Sequence, residues 1–548
     1  MAEADTVSPS DNAQTTVHPV IVVGAGPVGL ATAIDLAQRG NRVIVLDEDE
    51  LSPTGSRAIC FAKRTLEIFD RLGCGDAMVA RGVGWNVGKV FFNDGLVYEF
   101  DLLAESGHER PAFINLQQYH VESYLHARAL REPNLTLRWH SRVTGLVQDA
   151  EGVILSVDTA HGQQHLQAQY VVAADGSRSG LRALMGLEAS GRVFKDRFLI
   201  ADVRMDAPFP SERWFWFDPP FHPNQSVLLH RQPDNLWRID FQLGWEADPV
   251  LERSPERVIP RVQALLGADV AFTLEWVSVY TFACRRMERF RHQRILFAGD
   301  AAHGVSPFGA RGANSGIQDA DNLSWKLDLV LRGAAPTALL DTYASEREMA
   351  ADENILNSTR ATDFITPKSA VSRLFRDAVL TLAKEFPFAR KLVNSGRLSL
   401  PSVYADSHLN TADRDQFIGA MVPGAPCTDA PVMVTGTQSW LLRQLGRQFT
   451  ILYFSDGKPL APSVLRMLQS LVAGNDSIAL RVIVPNSGAG AVAGLAELVD
   501  RTGLLARRYD ATPGTCYLVR PDQHVCGRWR TLEATAVRAA RARAICRT

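Results

Sequence analysis

Continuous apolar runs alternate with glycine turns through the first third of the chain, and this pattern predicts its elements. A β-branched run at 20–23 leads into the turn GAGPVG, an apolar-periodic helix ends near Gly40, and a second apolar run covers 42–46. Strand, glycine turn, helix and strand form a βαβ unit. Two later runs, 170–174 and 294–298, also read as buried strands, and each ends on a Gly/Asp pair: Asp175-Gly176 and Gly299-Asp300. Between them, segments 213–222, 226–231, 236–245 and 273–286 alternate apolar and polar residues and are rich in Trp and Phe, which predicts an antiparallel sheet with one buried face. After Asp300 comes a run of small residues, then Ile317, Ala320, Leu323, Leu327 and Val330 at helical spacing, with Gly333 as the stop. Segment 347–400 reads as amphipathic helix and 401–410 as a linker. From 411 the order is strand 449–454, helix 462–472, strand 480–484, helix 491–499, strands 515–520 and 524–529, and a helix from 531.

Length adds that 548 residues exceed one core, so two or three domains are expected. A net charge of -2 gives no electrostatic reason to expect nucleic acid or an anionic membrane as partner. Seven scattered cysteines without a CxxC pair argue against a disulfide framework, a thiol redox centre or a metal site, and fit a reducing cytoplasm. The polar segment 1–18 reads as a disordered tail, and no apolar run reaches transmembrane length.

The first turn has the chemistry of a dinucleotide site. Gly24 permits a tight turn, Gly26 admits a pyrophosphate against the backbone, and Gly29 allows close helix–strand packing, while the helix N-terminus offers free N–H groups. Asp47 closes the second strand, where an acid can bind ribose hydroxyls. This motif alone does not separate FAD from NAD.

With the Asp175-Gly176 and Gly299-Asp300 motifs following in order over about 20–347, the sequence resembles the single-component flavin-dependent aromatic hydroxylases, the 4-hydroxybenzoate and phenol hydroxylase family, and among them the 3-(3-hydroxyphenyl)propionate hydroxylase-like members. The resemblance implies an α/β fold: a Rossmann-like FAD-binding domain (19–85, 111–185, 286–345), an interleaved antiparallel-sheet substrate domain (86–110, 186–285), a helical segment (346–400), and a thioredoxin-like domain (411–548) that lacks CxxC. It implies FAD held by Gly24, Gly26, Pro27, Gly29, Asp47, Glu48, Arg57, Gln118, Asp175, Gly176, Arg182, Gly299, Asp300, Pro307, Gly312, Ala313 and Asn314, with NADPH or NADH as a transient reductant. The implied reaction is hydroxylation of a phenolic or other electron-rich aromatic by NAD(P)H and dioxygen through a flavin C4a-hydroperoxide. A homodimer is compatible with the family.

Physical chemistry adds roles within the small-residue run. Pro307 would form a rigid wall presenting a carbonyl, Gly309, Gly312 and Gly316 would admit a flat ring, and the helix N-terminus would stabilise charge on the reduced ring. His303 reads as a structural histidine before a catalytic one. The sheet should roof an aromatic pocket. Trp216, Arg238, Gln242, Tyr280 and Phe282 are the candidate substrate contacts, and Pro307, Tyr280 and His230 the candidate catalytic residues, Tyr280 reading equally as a packed strand tyrosine. Two alternatives stay open. Trp214 to Pro219 superficially matches a flavin-halogenase signature, and a polycyclic polyketide would also fit such a pocket. The similarity of segment 309–327 to hydroxyphenylpropionate-type enzymes tips the substrate mildly toward monocyclic acids, while a simple phenol also fits and the choice of nicotinamide does not follow from the sequence.

Overall fold

The computed structural model describes residues 17–50, 58–207, 209–267, 269–393, 398–473, 478–485 and 495–547. Val17–Val23 pairs in parallel with Val43–Leu46 on one side and Gly162–Ala173 on the other, Val20 lying opposite both Val43 and Tyr170. Leu135–Arg138 and Ile295–Phe297 extend the parallel set at its two ends. Strands covered on both faces need unbroken apolar sequence, and 20–23 and 43–46 are buried throughout. Helices Pro27–Gln38 and Gly312–Leu331 pack against each other beside this sheet. The carboxyl ends of its strands bring Gly24, Asp47, Asp175 and Gly299 to one edge, the usual ligand edge of such sheets. The tail expected over 1–18 is shorter at its inner end, because Val17 and His18 already pair with Gln167 and Ala168. Residues 1–16 lie outside the described residues.

The second sheet runs in the order Phe272–Tyr280, Arg197–Met205, Leu236–Leu243, Ser226–Arg231, Arg213–Phe217, Val87–Phe92, Gly95–Asp101. It is mixed, not purely antiparallel: Arg213–Phe217 runs parallel to Val87–Phe92, with Phe215 opposite Val90. The long excursion of the chain between those strands permits a parallel return, which a hairpin could not make. One face packs Phe198, Phe215, Phe217 and Phe282 against Phe308 of the small-residue loop. The other face packs Trp216, Val227, Trp237 and Phe241 under Val258 and Val262 of helix Pro255–Leu266.

Helix Leu339–Ile365 runs 27 residues without a break, so the boundary read at 345/346 falls inside one helix. The stretch read as a linker is anchored: Tyr404 is buried, and its hydroxyl accepts from Arg347 Nη1 at 2.8 Å. In the C-terminal sheet, Ala479–Val484 and Cys516–Val519 flank Thr450–Phe454, the first parallel and the second antiparallel, with Val525–Trp529 outside. Of the helix expected at 491–499, Glu497–Val499 is instead a strand parallel to Ala479–Val484, and 486–494 lie outside the described residues. Sheet pairing decides there, since Leu498 and Val499 are buried along that strand edge. Among the described residues no helix is long and apolar enough to cross a membrane.

Candidate active site

The glycine turn is built for close approach. Gly24 has φ +104°, and a Cβ there would strike the Ala174 carbonyl. A Cβ on Gly29 would collide with the Gly24 carbonyl oxygen. Gly26 differs: φ is -69°, and a Cβ there would meet nothing within 4 Å. Helix Pro27–Gln38 starts at this open spot with no side-chain cap and no acid in its first turn, so its free N–H groups and positive dipole end face an anion-sized space. Asp47 closes the neighbouring strand, accepting from Ala25 N at 2.5 Å, while Glu48 stands exposed 3.5 Å from Arg142. Arg57 lies outside the described residues. Gln118 reaches the segment that follows it, its Oε1 accepting from Ala58 N at 3.1 Å.

Asp175 accepts from Leu181 N at 3.0 Å, yet its Oδ1 is buried without a partner, and burial raises its pKa against the pull of the Leu181 and Ser179 donors. Gly176 turns the chain at φ +77°. Arg182 also has a bracing job that was not expected. Its guanidinium donates to the carbonyls of Ala301 and Ser177, each at 2.7 Å, and so ties the Asp175-Gly176 loop to the Gly299-Asp300 loop. Gly299 turns at φ +62°, packed on Val28, and Asp300 is exposed at the strand end.

Within the small-residue run the expected roles are partly redistributed. Pro307 is exposed, and its carbonyl accepts from Ala310 N at 3.1 Å, which closes a turn and leaves one lone pair for a second donor. Gly309 has φ +109°, a turn requirement, and a Cβ on Gly316 would hit Val28, a packing requirement. Gly312 alone of the three has only an ordinary contact at 3.8 Å, and with Ala313 it opens helix Gly312–Leu331, which has no acid in its first turn. The Asn314 amide is committed to backbone: Oδ1 accepts from Ala62 N at 2.8 Å and Nδ2 donates to the Cys60 carbonyl at 2.9 Å. His303 is structural, buried and donating from Nε2 to Asp319 at 2.7 Å.

Asp319 and Arg347 were not foreseen. Asp319, fully buried, also accepts from Gly299 N at 2.9 Å and Arg347 Nε at 2.6 Å. Burial pushes its carboxyl up, but His303 and Arg347 outweigh it and hold the pKa below the usual value. An acid between Ile317 and Ala320 on a core helix was the available sequence signal, since such a group must find partners.

The sheet presents a polar row across the face turned to Phe308. In register, Asp202 stands opposite Arg238, Arg238 opposite His230, His230 opposite Arg213, and Arg213 opposite Gly88. Arg238 is bound by both oxygens of Asp202, at 2.7 and 2.8 Å, and lies over the Trp276 ring. Gln242 is buried and its Oε1 accepts from Ser226 N at 3.0 Å. Tyr280 lies opposite Phe198, half-buried beside Trp276. Phe282 packs on Phe198 and Phe308 at 5.6 and 5.4 Å. Trp216 is the misplaced candidate. It stands opposite Val227 and stacks on Phe91 on the far face, because the 213–230 pairing gives this strand the opposite parity to its neighbour.

Two further groups, Asp240 and Cys60, adjoin that row at His230. Asp240, on the same strand as Arg238, has Oδ2 3.8 Å from His230 Nε2; burial, aided by Asp202 and opposed by Arg238 and Arg213, pushes it up to about 6. Burial, then Arg213 and Arg238, holds His230 well below its ordinary value, so the imidazole is neutral. Cys60 Sγ donates to Asn115 Oδ1 at 3.2 Å, and burial pushes this thiol up to about 11. A narrow, largely apolar crevice lies in front, lined by Phe100, Arg213, Phe215, Phe308, Gly309 and Ile365. Beside the Asp175-Gly176 loop an open cleft is lined by Arg178, Arg182 and Arg285. Among the described residues no cluster of three or more His, Cys, Asp or Glu could hold a metal.

The geometry fits FAD: an uncapped helix at an open glycine, Asp47 at the end of the neighbouring strand, a buried unpaired Asp175 oxygen, and Asp300 exposed at the strand end. The chain matches the FAD binding domain family over residues 17–358. It is 31% identical over 534 residues to 6-methylpretetramide 4-monooxygenase of Streptomyces rimosus, covering 95% of this chain and 92% of that one. It is 30% identical over 427 residues to a 3-(3-hydroxy-phenyl)propionate/3-hydroxycinnamic acid hydroxylase of Paraburkholderia xenovorans, covering 77% and 67%. Among solved structures, the flavin-dependent monooxygenase PieE in complex with FAD and substrate shares the fold at TM-score 0.79 and 21% identity, covering 98% of this chain and 100% of that one. Aklavinone-11 hydroxylase, in a ternary complex with FAD and aklavinone, does so at 0.77 and 23%, covering 97% and 100%. With the cofactor cradle and these end-to-end likenesses agreeing, the chain belongs to the FAD binding domain family and is a flavoprotein of the aromatic monooxygenase type.

Proposed function

We propose that the protein uses NADH or NADPH and dioxygen to hydroxylate a phenolic or other electron-rich aromatic compound held in the cleft between the sheet and the 307–312 loop. The observation that carries this reading is the meeting of Phe308, from the cofactor loop, with the aromatic wall of Phe198, Phe215 and Phe282. FAD, when bound, would supply the redox chemistry, using two electrons from the nicotinamide to place one atom of dioxygen on the ring while the other leaves as water. The chain's own tasks are to exclude water, orient the ring and accept the phenolic proton. Apolar cleft walls do the first two. Asp240, reachable at 18% side-chain exposure and pushed up to about 6, is the proton acceptor, and neutral His230 beside it accepts or relays a hydrogen bond. Arg178, Arg182 and Arg285 suit the phosphates of the nicotinamide.

Asp240 must be ionised to work, so kcat/KM should rise with pH through about 6 and level off above it. Asp240→Asn should lower the rate by roughly 10²- to 10⁴-fold and abolish that step. A pH–rate profile of both proteins decides it, and an unchanged profile in the variant removes Asp240 from the role. The reading as a whole is tested by NAD(P)H oxidation with product analysis: a hydroxylated product is expected, and NAD(P)H consumption giving only peroxide with every phenol tried would overturn it. The halogenase alternative gains nothing from the structure, since Trp216 of its apparent signature faces away from the cleft. The cytoplasm as location and a homodimer as assembly belong to the same proposal. The thioredoxin-like reading of the C-terminal unit is supported by the order Ala479–Val484, Thr450–Phe454, Cys516–Val519, Val525–Trp529.

A further inference from the structure

Helix Ala370–Ala383 is apolar on two sides and covered on one. Val379, Leu380 and Ala383 sink into the core against Phe217 of the second sheet and Phe364. On the other side Val371, Leu374, Phe375, Ala378 and Leu382 stand at i, i+3, i+4, i+7 and i+11, and the four large ones are 43–78% exposed. A helix that is apolar all round belongs in an interior, yet this one lies at the surface. Helix Pro387–Val393 repeats the pattern: Ala389 and Val393 are buried, while Phe388 and Leu392 are exposed. The two helices pack on each other, and exposed Phe386 lies 5.9 Å from the Phe388 ring, so their outer sides form one patch.

The charges around the patch indicate what covers it. Arg373 donates to the neutral Asn224 amide, and Arg390 to the carbonyls of Ala383 and Lys384, so no acid neutralises either. Lys384 and Lys391 are exposed. Within 370–393 only Glu385 opposes these four, because Asp377 is paired with Arg376 at 2.8 Å. The chain's net charge of -2 therefore hides a local excess of base on its most apolar face. A second copy docked there about a two-fold axis would bring like charges together. An acidic lipid surface satisfies both properties at once, headgroups taking the cations and the acyl boundary taking Phe and Leu. Val393, on the inner side of the same helix pair, lines the narrow crevice with Phe100 and Ile365, so the patch adjoins the place where an apolar aromatic would enter.

We propose that helices Ala370–Ala383 and Pro387–Val393 dock the protein peripherally on an anionic lipid surface, beside the substrate crevice. The docking stands on the helix pair; only its relation to the crevice rests on the proposed function. Binding is by adsorption, since among the described residues no helix could cross a membrane.

The test pellets full-length FAD-loaded protein with vesicles of phosphatidylcholine alone, or with about 30% phosphatidylglycerol. At low salt the anionic vesicles should bind roughly tenfold or more tightly than the neutral ones, and the difference should shrink as sodium chloride is raised. Lys384→Glu with Lys391→Glu should remove the anionic preference. Leu374→Ser, Phe375→Ser and Phe388→Ser together should weaken binding by roughly tenfold or more, because the apolar area that enters the lipid is lost. Both variants should keep their FAD and turn over a dissolved phenol within about twofold of wild type, as these side chains touch neither the cofactor edge nor the crevice. The proposal fails if the wild type ignores anionic vesicles at low salt, binds both kinds equally, or binds unchanged in both variants. It fails too if sedimentation velocity shows a wild-type dimer that the triple serine variant makes monomeric, because a second copy would then be the cover. Vesicle binding without hydroxylation of any phenol leaves the docking standing and overturns the monooxygenase reading; hydroxylation without vesicle binding does the reverse.

Discussion

Gly26→Ala is expected to yield folded protein that purifies with little or no flavin, whereas Gly29→Ala is expected to fail at folding itself. Both positions belong to one turn, yet their surroundings differ. At Gly26 the backbone is extended, at φ -69° and ψ 179°, which alanine adopts freely, and a new Cβ meets no protein atom within 4 Å. The methyl group would project only into the space that a pyrophosphate needs at the uncapped helix end. Losing even one charge-assisted hydrogen bond there costs about 1.5–3 kcal/mol, at least tenfold in affinity. At Gly29 a Cβ would overlap the Gly24 carbonyl oxygen, a backbone atom that cannot rotate away. Such overpacking costs roughly 1–3 kcal/mol or more in a core this close to the sheet. Comparing soluble yield, far-UV dichroism and bound flavin for the two variants checks this. A flavin-replete Gly26→Ala protein would show that this empty spot is not the cofactor cradle.

Asp319→Ala should be the most damaging single side-chain truncation in the cofactor domain. It strips partners at once from Gly299 N, His303 and Arg347, all buried. Removing one member of a buried ion pair costs about 3–5 kcal/mol because the other charge is left unpaired. The Gly299-Asp300 turn would lose its anchor too, so flavin retention should fall with stability. The same network reaches the C-terminal unit: Arg520 donates to both oxygens of Glu346 at 2.7 and 2.9 Å, and Lys326 joins at 2.7 Å. Burial would raise the pKa of Glu346 and Asp522, but Arg520 with Lys326 in the first case, and Arg520 with His524 in the second, hold them below the usual carboxylate range. Asp319 behaves alike. Carboxyls depressed in the folded state stabilise fully above their unfolded pKa values, about 4, and lose that contribution as pH falls through the folded values. Acid unfolding should therefore begin below about pH 4 in the wild type, and Asp319→Ala should show a smaller loss of stability over that range. Denaturant titrations at neutral and acidic pH measure both effects, and a neutral-pH loss below about 1 kcal/mol would refute the anchoring role.

The buried network also explains why a stretch of loop-like composition, 401–410, is held in place. Tyr404 bonds Arg347 and stacks near His524 at 4.7 Å, so the segment joins the C-terminal unit to the cofactor loop through side chains. Its composition of Pro, Ser, Asp and Asn carries no sign of the contacts that fix it, which besides Tyr404 include Ser402 donating to Glu353 at 2.8 Å and the buried Leu409.

What the sequence determined by itself is the cofactor edge. Unbroken β-branched runs can only be strands covered on both faces, and a glycine or acid directly after each must sit at the carboxyl edge, so Gly24, Asp47, Asp175 and Gly299 converge by local chemistry alone. Helix ends at Gly40 and Gly333 were equally legible, both glycines having positive φ. The tertiary structure decided the rest. Alternation identified the aromatic strands but could not fix which parity faces the cleft. That choice belongs to the cross-strand register, which turned Trp216 away and brought Arg213 into line with His230. Likewise no local signal tells that Asp319 answers three donors from separate segments, or that Arg238 is paired while Arg213 is not. Strand identity is written in neighbours along the chain; the charge state of a buried side chain is set by neighbours across it, and only folding brings those together.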